Sequence, residues 1–289
     1  MRLAVVTGTL DIDRAYPAID SWLRYLTCPV SLYVVVQAQR PEAPRVWEQG
    51  NTRGPCWWYG TSSILGVVPA FAIGVQKALE DGADIIACLH DDLLIEQDGW
   101  DLACVEVMRM RPQVGLVGFG GGTGLGAADI YQTPYSPMQL ARQDFVSNMR
   151  DAEVHGRRSQ LAERVACLDG FSQIGRREFW AGVPFGKPWD PVENLFGQMQ
   201  SWGVIHHFYD GMLGCFAKRL GWEVWMLPIQ VRHLGGQTAV GDARYQQWAR
   251  LQGDKWDGLT EGTTGDAGFW HRAHEIGYRE FKDVLPIRL

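Results

Sequence analysis

The sequence predicts an α/β domain built on a largely parallel central sheet with helices on both faces. Two observations carry that prediction. Short apolar runs bounded by turn residues recur along the first half, at "LAVVTGT" (3–9), "VSLYVVVQ" (30–37), "ADIIACLH" (83–90) and "VGLVGFG" (114–120). Helical segments lie between successive runs, and a strand that returns through a helix pairs in parallel with its predecessor.

Taken in order, the first strand is followed by "DIDRAYPAIDSWLRYL", where Ile12, Tyr16, Ile19, Trp22, Leu23 and Leu26 recur at helical spacing. A polar connection (38–61) containing Pro and Gly leads to Thr61, Ser62 and Ser63, any of which can cap a helix reaching about Glu80. Pro69 is expected to kink that helix, and Asp81-Gly82 to close it. A further helix is expected near 98–111, and "GFGGGTGLGA" reads as a loop inside the domain. The second half is less regular: an arginine-containing helical segment at about 138–166, a helix from about Asp210 to Leu220, and one strand at "EVWMLPIQVRH" (223–233). The last fifty residues, with Trp248, Trp256, Trp270, His271 and His274, are expected to pack back on the domain.

With 289 residues, 46% of them hydrophobic, the chain can bury a sizeable core. No apolar run approaches a membrane span and no basic-then-apolar leader opens the chain, so a cytoplasmic protein is expected. Six scattered cysteines without a C-x-x-C pair argue for reduced thiols. A net charge of −6 argues against binding nucleic acid chiefly through a basic surface. The seven arginines within 142–177 are interspersed with acids and read as a solvated mixed surface, with a local anion-binding patch as the competing reading.

The chemistry centres on "ACLHDD", an apolar strand that ends in Asp91 and Asp92. Ligands of parallel α/β sheets bind outside the carboxyl ends of the strands. Two adjacent carboxylates there repel one another, and a divalent cation, Mg²⁺ or Mn²⁺, resolves the conflict. The competing reading is a turn cap with one aspartate facing water. Further along, "HFYDGMLGCFAKRLGWEVWMLP" puts Asp210 at the head of an amphipathic helix, followed by a strand and "VRHLGG".

In this order "LHDD" (89–92), "LDGFSQIGRREFW" (168–180), "HFYDGMLGCFAKRLGWEV" (207–224) and "RHLGG" (232–236) resemble the motifs of GT-A glycosyltransferases, in particular family-2-like enzymes. The resemblance spans residues 3 to 236. It implies a GT-A domain over 1–236, with a nucleotide-sugar-binding half (1–120) and an acceptor-side half (121–236), and a tail over 237–289. It also implies a nucleotide-sugar donor, Mn²⁺ or Mg²⁺, and inverting transfer to a hydroxyl. Asp92 would hold the metal, and Asp91 would contact donor ribose or a metal-bound water. His233 would be a further metal ligand or a diphosphate contact, against the plain reading of a satisfied polar residue at a strand end. Asp210 would be the general base. Thr7, Thr9, Gln37 and Gln39 would face the nucleotide, Tyr209 and Trp180 the acceptor, and Asp169 either the acceptor or a turn before Gly170.

The chain departs from the pattern at two points: Gln37 and Gln39 stand where many relatives carry a base-binding aspartate, and Tyr209-Asp210 replaces a Glu-Asp pair. His90 also differs from many relatives, and it is expected to face the nucleotide or the strand's other side, away from the metal. "GTGLGA" (122–127), with Asp144 beyond it, fits the dinucleotide fingerprint but meets Pro134 and Pro137 where that fingerprint needs a long helix. Trp57-Trp58-Tyr59 reads as core or as an aromatic platform for a sugar or base. Competing functions are a nucleotidyltransferase using the same carboxylate pair and a non-catalytic glycan- or nucleotide-binding module. The acceptor is open: a glycan, a protein, a small molecule, or an anionic partner such as DNA.

Overall fold

The computed structural model describes residues 1–38, 56–126, 145–150, 156–189, 193–234, 242–257 and 274–289. Strand β1 (Leu3–Thr9) leads into helix α1 (Ile12–Arg24), and β2 (Val30–Val36) and β3 (Cys56–Gly60) follow. Helix α2 (Val67–Glu80) returns the chain to β4 (Ile85–Leu89), a short β5 (Leu93–Ile95), helix α3 (Trp100–Met110) and β6 (Val114–Gly118). Short strands come next: β7 (Gly120–Gly122), β8 (Gly124–Leu125), β9 (Phe145–Ser147), β10 (Arg157–Arg158), β11 (Glu163–Val165) and β12 (Cys167–Leu168). The remainder holds β13 (Ser172–Arg176), helices α4 (Arg177–Trp180), α5 (Leu195–Ser201) and α6 (Tyr209–Leu220), strands β14 (Glu223–Met226) and β15 (Val231–His233), helix α7 (Ala243–Asp257) and β16 (Ile287–Arg288).

Among the described residues, eight strands form the central sheet in the order β11-β14-β6-β13-β4-β1-β2-β3. β14, β6, β4, β1, β2 and β3 run in one direction, and β13 and β11 oppose them. This is the mostly parallel α/β sheet expected, and both of its faces are covered. Alternation along β1 sends Ala4 and Val6 to one side, under Phe71 of α2, Phe196 of α5 and Phe216 of α6. Leu3 and Val5 go to the other, under Ile19 and Trp22 of α1 and Trp100 and Met108 of α3. Burial on both faces explains why these strands read as continuous apolar runs.

Several local expectations are corrected. Helix α2 begins at Val67, with Gly66 (φ 99°) as its cap and not Thr61, Ser62 or Ser63. Pro69 therefore falls in the first turn, where a missing N–H costs nothing, and no kink is needed. The described part of 138–166 is short strands, not helix: Phe145, Val146 and Val165 are buried at strand spacing while Arg157 and Arg158 are exposed. The glycine-rich stretch contributes β7 and β8, and a Cβ at Gly120 would meet the rings of Phe145 and Phe171. Residues 223–233 form two strands, because the chain leaves the main sheet around Pro228 and β15 pairs antiparallel with β5. Trp57 and Tyr59 stack on each other along the edge strand β3, with ring centroids 5.5 Å apart.

After residue 241, Arg244 Nη2 donates to the Leu10 carbonyl, Phe281 packs edge-on to Phe216, and β16 pairs with β8. Ala127, Asp144, Trp270, His271 and the side chain of Trp256 lie outside the described residues. All six cysteines are free thiols, four of them buried. Among the described residues no helix is long and apolar enough to cross a membrane.

Candidate active site

The carboxyl ends of β1, β2 and β4 lie side by side, and antiparallel β13 begins beside the end of β4, where the Phe171 carbonyl accepts from His90 N–H at 3.1 Å. That junction opens into a cavity of about 300 Å³. Strand ends supply Gly8, Thr9 and Gln37, and the turn after β4 supplies His90, Asp91 and Asp92. Asp169 and Gly170 come from the turn before β13, and His206 to Asp210 from the entry to α6. His233 arrives on β15, and Tyr245 arrives on α7. Four aspartates thus share one cavity, and no Lys or Arg is among its described lining residues.

Each acid is held differently. Thr9 Oγ1 accepts the Asp11 N–H and donates to Asp91 Oδ2 at 2.6 Å. Burial nevertheless pushes the Asp91 carboxyl up to about 6, and the neighbouring Asp92 adds to the rise. Asp92 takes the opposite course. Burial alone would raise it, but the hydrogen bond and charge of His233, whose Nε2 lies 3.1 Å from Asp92 Oδ1, hold it below the usual carboxylate range. His233 is raised in turn, because Asp92 outweighs the cost of burying an imidazolium.

Asp210 sits in the first turn of α6, where its Oδ1 accepts the Gly211 N–H at 2.8 Å. Burial, with the Asp169 charge behind it, pushes its carboxyl up to about 7, a value suited to accepting a proton near neutrality. The residue two before it, Phe208, has φ 61° and ψ 5°, a left-handed conformation that is strained for a side chain of this size. That turn directs the chain from His206 and His207 into the helix. His206 Nε2 lies 2.8 Å from Tyr245 Oη, and burial with the charges of His207 and His90 holds its ring neutral.

His90, Asp92 and His233 each offer one ligand atom, all within 4.8 Å of one another. This donor set fits a divalent cation. Asp92 Oδ1 and His233 Nε2, 3.1 Å apart, match the roughly 3 Å between adjacent ligands of an octahedral ion with bonds of about 2.1 Å. Two imidazoles beside one carboxylate suit a transition-metal ion better than Mg²⁺. The expectation that His90 faces away from the metal ligands is thus corrected: its ring lies 5.9 Å from that of His233, centroid to centroid. The cause is the turn after Leu89, closed by Leu93 N–H on the His90 carbonyl, which directs the ring toward β15.

Of the residues singled out from sequence, Thr9, Gln37, Asp91, Asp92, Asp169, Tyr209, Asp210 and His233 line the cavity. The Gln37 side-chain Oε1 is already engaged, accepting the N–H groups of Leu65 and Gly66 at 2.8 and 3.0 Å. Two residues lie elsewhere. Trp180 is fully buried against Phe196, and its indole N–H donates to the Ile86 carbonyl, which makes it a core residue. Thr7 is buried inside β1 and does not line the cavity. Gln39 falls outside the described residues. Trp57, Trp58 and Tyr59, and the stretch 118–126, do not line the cavity either. Sequence reading missed His206, His207 and Tyr245, although the doubled histidine four residues before Asp210 was a visible signal.

The described arginines of 142–177 are dispersed. Arg150 faces Glu96, Arg157 faces Glu163, Arg164 faces Glu223, and Arg176 donates to backbone carbonyls. Arg158 donates to Asn148, and Arg177 lies over the Trp189 ring. Arg142 lies outside the described residues.

No protein-family model matches the chain, and no curated protein does. Among solved structures it is similar to the mannosyltransferase PcManGT from Pyrobaculum calidifontis in complex with GDP-Man and Mn²⁺, at 14% identity over 95% of this chain and 69% of that one, with a TM-score of 0.46. It is also similar to residues 1–349 of S. aureus TarS, at 10% identity over 99% of this chain and 75% of that one (TM-score 0.45). For the same TarS segment in complex with UDP, coverage is 97% and 72%, with a TM-score of 0.43.

Proposed function

We propose that this chain is a metal-dependent, inverting glycosyltransferase that moves a sugar from a nucleoside-diphosphate donor to a hydroxyl acceptor. One observation carries the reading. Four aspartates converge on one cavity at the carboxyl edge of a parallel sheet, a His/Asp/His set is gathered beside them, and no Lys or Arg is among the described lining. A diphosphate cannot enter such a cavity unless a cation compensates the charge. His90, Asp92 and His233 would hold that cation. When bound, it would act as a Lewis acid for the charge that develops on the departing diphosphate.

Thr9 holds Asp91 in place for the donor side, and Gln37 holds the backbone at Leu65 and Gly66 as a wall of the nucleotide end. Asp210 accepts the proton of the acceptor hydroxyl. The acceptor oxygen then bonds to the anomeric carbon from the face opposite the leaving group. The bond from that carbon to phosphate oxygen breaks, its electron pair leaves with the nucleoside diphosphate, and configuration inverts. We read residues 1–236 as the catalytic domain, with the tail adding Tyr245 to the cavity wall. The pairing of Arg150, Arg157 and Arg164 with glutamates supports a neutral acceptor over a polyanion such as DNA.

The test is donor turnover with Mn²⁺, scored by product. Release of nucleoside diphosphate from a UDP- or GDP-sugar, lost in Asp92→Ala, is the expected result. Pyrophosphate release would point to a nucleotidyltransferase instead, and Asp92→Ala with unchanged Mn²⁺-dependent nucleotide binding would sink the cation site.

A further inference from the structure

His90 and Tyr209 meet across the cavity floor in an arrangement that the reaction outlined above leaves unused. His90 Nε2 lies 2.5 Å from Tyr209 Oη, and the same Oη lies 3.0 Å from the Gly170 carbonyl oxygen. A carbonyl can only accept, and a phenol has a single proton to give. The phenol proton therefore goes to Gly170, and the phenol oxygen accepts from His90. That order puts the His90 proton on Nε2 and leaves the lone pair on Nδ1, the nitrogen free to ligate. Gly170 completes the arrangement, since a Cβ there would collide with the Tyr209 phenol. The His90 ring is also stacked on Phe71, with centroids 6.2 Å apart, so its plane is held as well as its tautomer.

We infer that Tyr209 is a positioning residue for the cation: by fixing the Nε2–H tautomer of His90 it presents Nδ1 beside Asp92 and His233 as the third ligand. Because Tyr209 opens helix α6 and Asp210 follows it, the cation site and the proposed base are then tied to one helical turn. The inference rests on reading His90, Asp92 and His233 as a cation site.

The experiment uses the full chain and reads binding and proton position instead of turnover. Mn²⁺ titration followed by electron paramagnetic resonance is expected to show binding to the wild type and a roughly 10- to 100-fold loss of affinity in Tyr209→Phe, the usual effect of removing a partner that orients a metal-bound histidine. Gly170→Ala, which displaces the phenol from the other side, is expected to weaken Mn²⁺ as well. Nitrogen-15 NMR of the metal-free wild type should find the His90 proton on Nε2, a readout that survives even if a variant folds poorly. Unchanged Mn²⁺ affinity in a folded Tyr209→Phe, or a proton on Nδ1, would overturn the inference and leave the cation site standing. Failure of the wild type itself to bind Mn²⁺ would overturn both.

Discussion

Asp210 shows how burial turns an ordinary carboxylate into a candidate base. Its folded value of about 7 lies well above the 3.8 of an ordinary aspartate, so it should be ionised only as the pH rises through neutrality. Turnover at saturating Mn²⁺ is expected to follow an ascending limb with a midpoint no higher than about 7, because a bound cation favours the ionised carboxyl. Asp210→Asn should lower kcat by roughly 10²- to 10⁴-fold, the usual contribution of a positioned base, with donor affinity unchanged. A wild-type profile that stays flat from about pH 8 down into the ordinary carboxylate range would exclude Asp210 from that role. The same shift predicts a stability effect of definite sign. The folded state binds this proton more tightly than the unfolded chain, so the associated stability is fully present below 3.8 and is lost as the pH rises through about 7. In chelator, the melting temperature of the wild type should therefore fall between pH 6 and pH 8 more than that of Asp210→Asn.

Helix α6 is the element that delivers Tyr209 and Asp210, and its placement depends on a close approach. A Cβ on Gly214 would come within 2.5 Å of the Cys167 Cβ and 2.6 Å of the Ala166 carbonyl oxygen, both on the segment entering β12. Gly214→Ala should cost about 1–3 kcal/mol by forcing the helix outward, and it should impair turnover beyond that loss by displacing Asp210. Calorimetry together with kinetics at a temperature where the variant is folded checks this. The helix was legible from its apolar spacing and its terminal Gly221, as were the parallel strands from their unbroken Val and Ile runs. The carboxylates stood out because charge seldom follows such a run. What could not be read was contact between distant segments. His90 joins His233 only because β15 leaves the main sheet to pair with β5, and Trp180 looked like a site residue until its indole met Ile86 in the core. The run 223–233 hides that break because apolar residues continue on both sides of Pro228.

For the whole molecule, a cavity with four aspartates should make stability depend on cation occupancy. A ligand at 100 times its dissociation constant stabilises by about 2.7 kcal/mol, which in a chain of this size corresponds to a rise in Tm of roughly 5 °C. Thermal melts with and without Mn²⁺ should show that rise in the wild type and little of it in Asp92→Ala. Mg²⁺ should give less, given the two imidazoles of the set. The net charge of −6 and the paired arginines predict an acceptor affinity that changes little between low and moderate salt. A steep decline with salt would restore a polyanion as the acceptor.

The pairing of β15 with β5 has a further consequence. His233 sits opposite Leu93, the residue after Asp92, and successive strand residues point to opposite faces. A slip of one position would turn the imidazole away and swing Arg232 toward the carboxylate. The four residues 227–230 that lead into β15 therefore act as a spacer whose length, more than its spelling, sets the ligand. Inserting a single residue there should abolish cation binding more thoroughly than substituting any of the four, in a protein whose central sheet still folds.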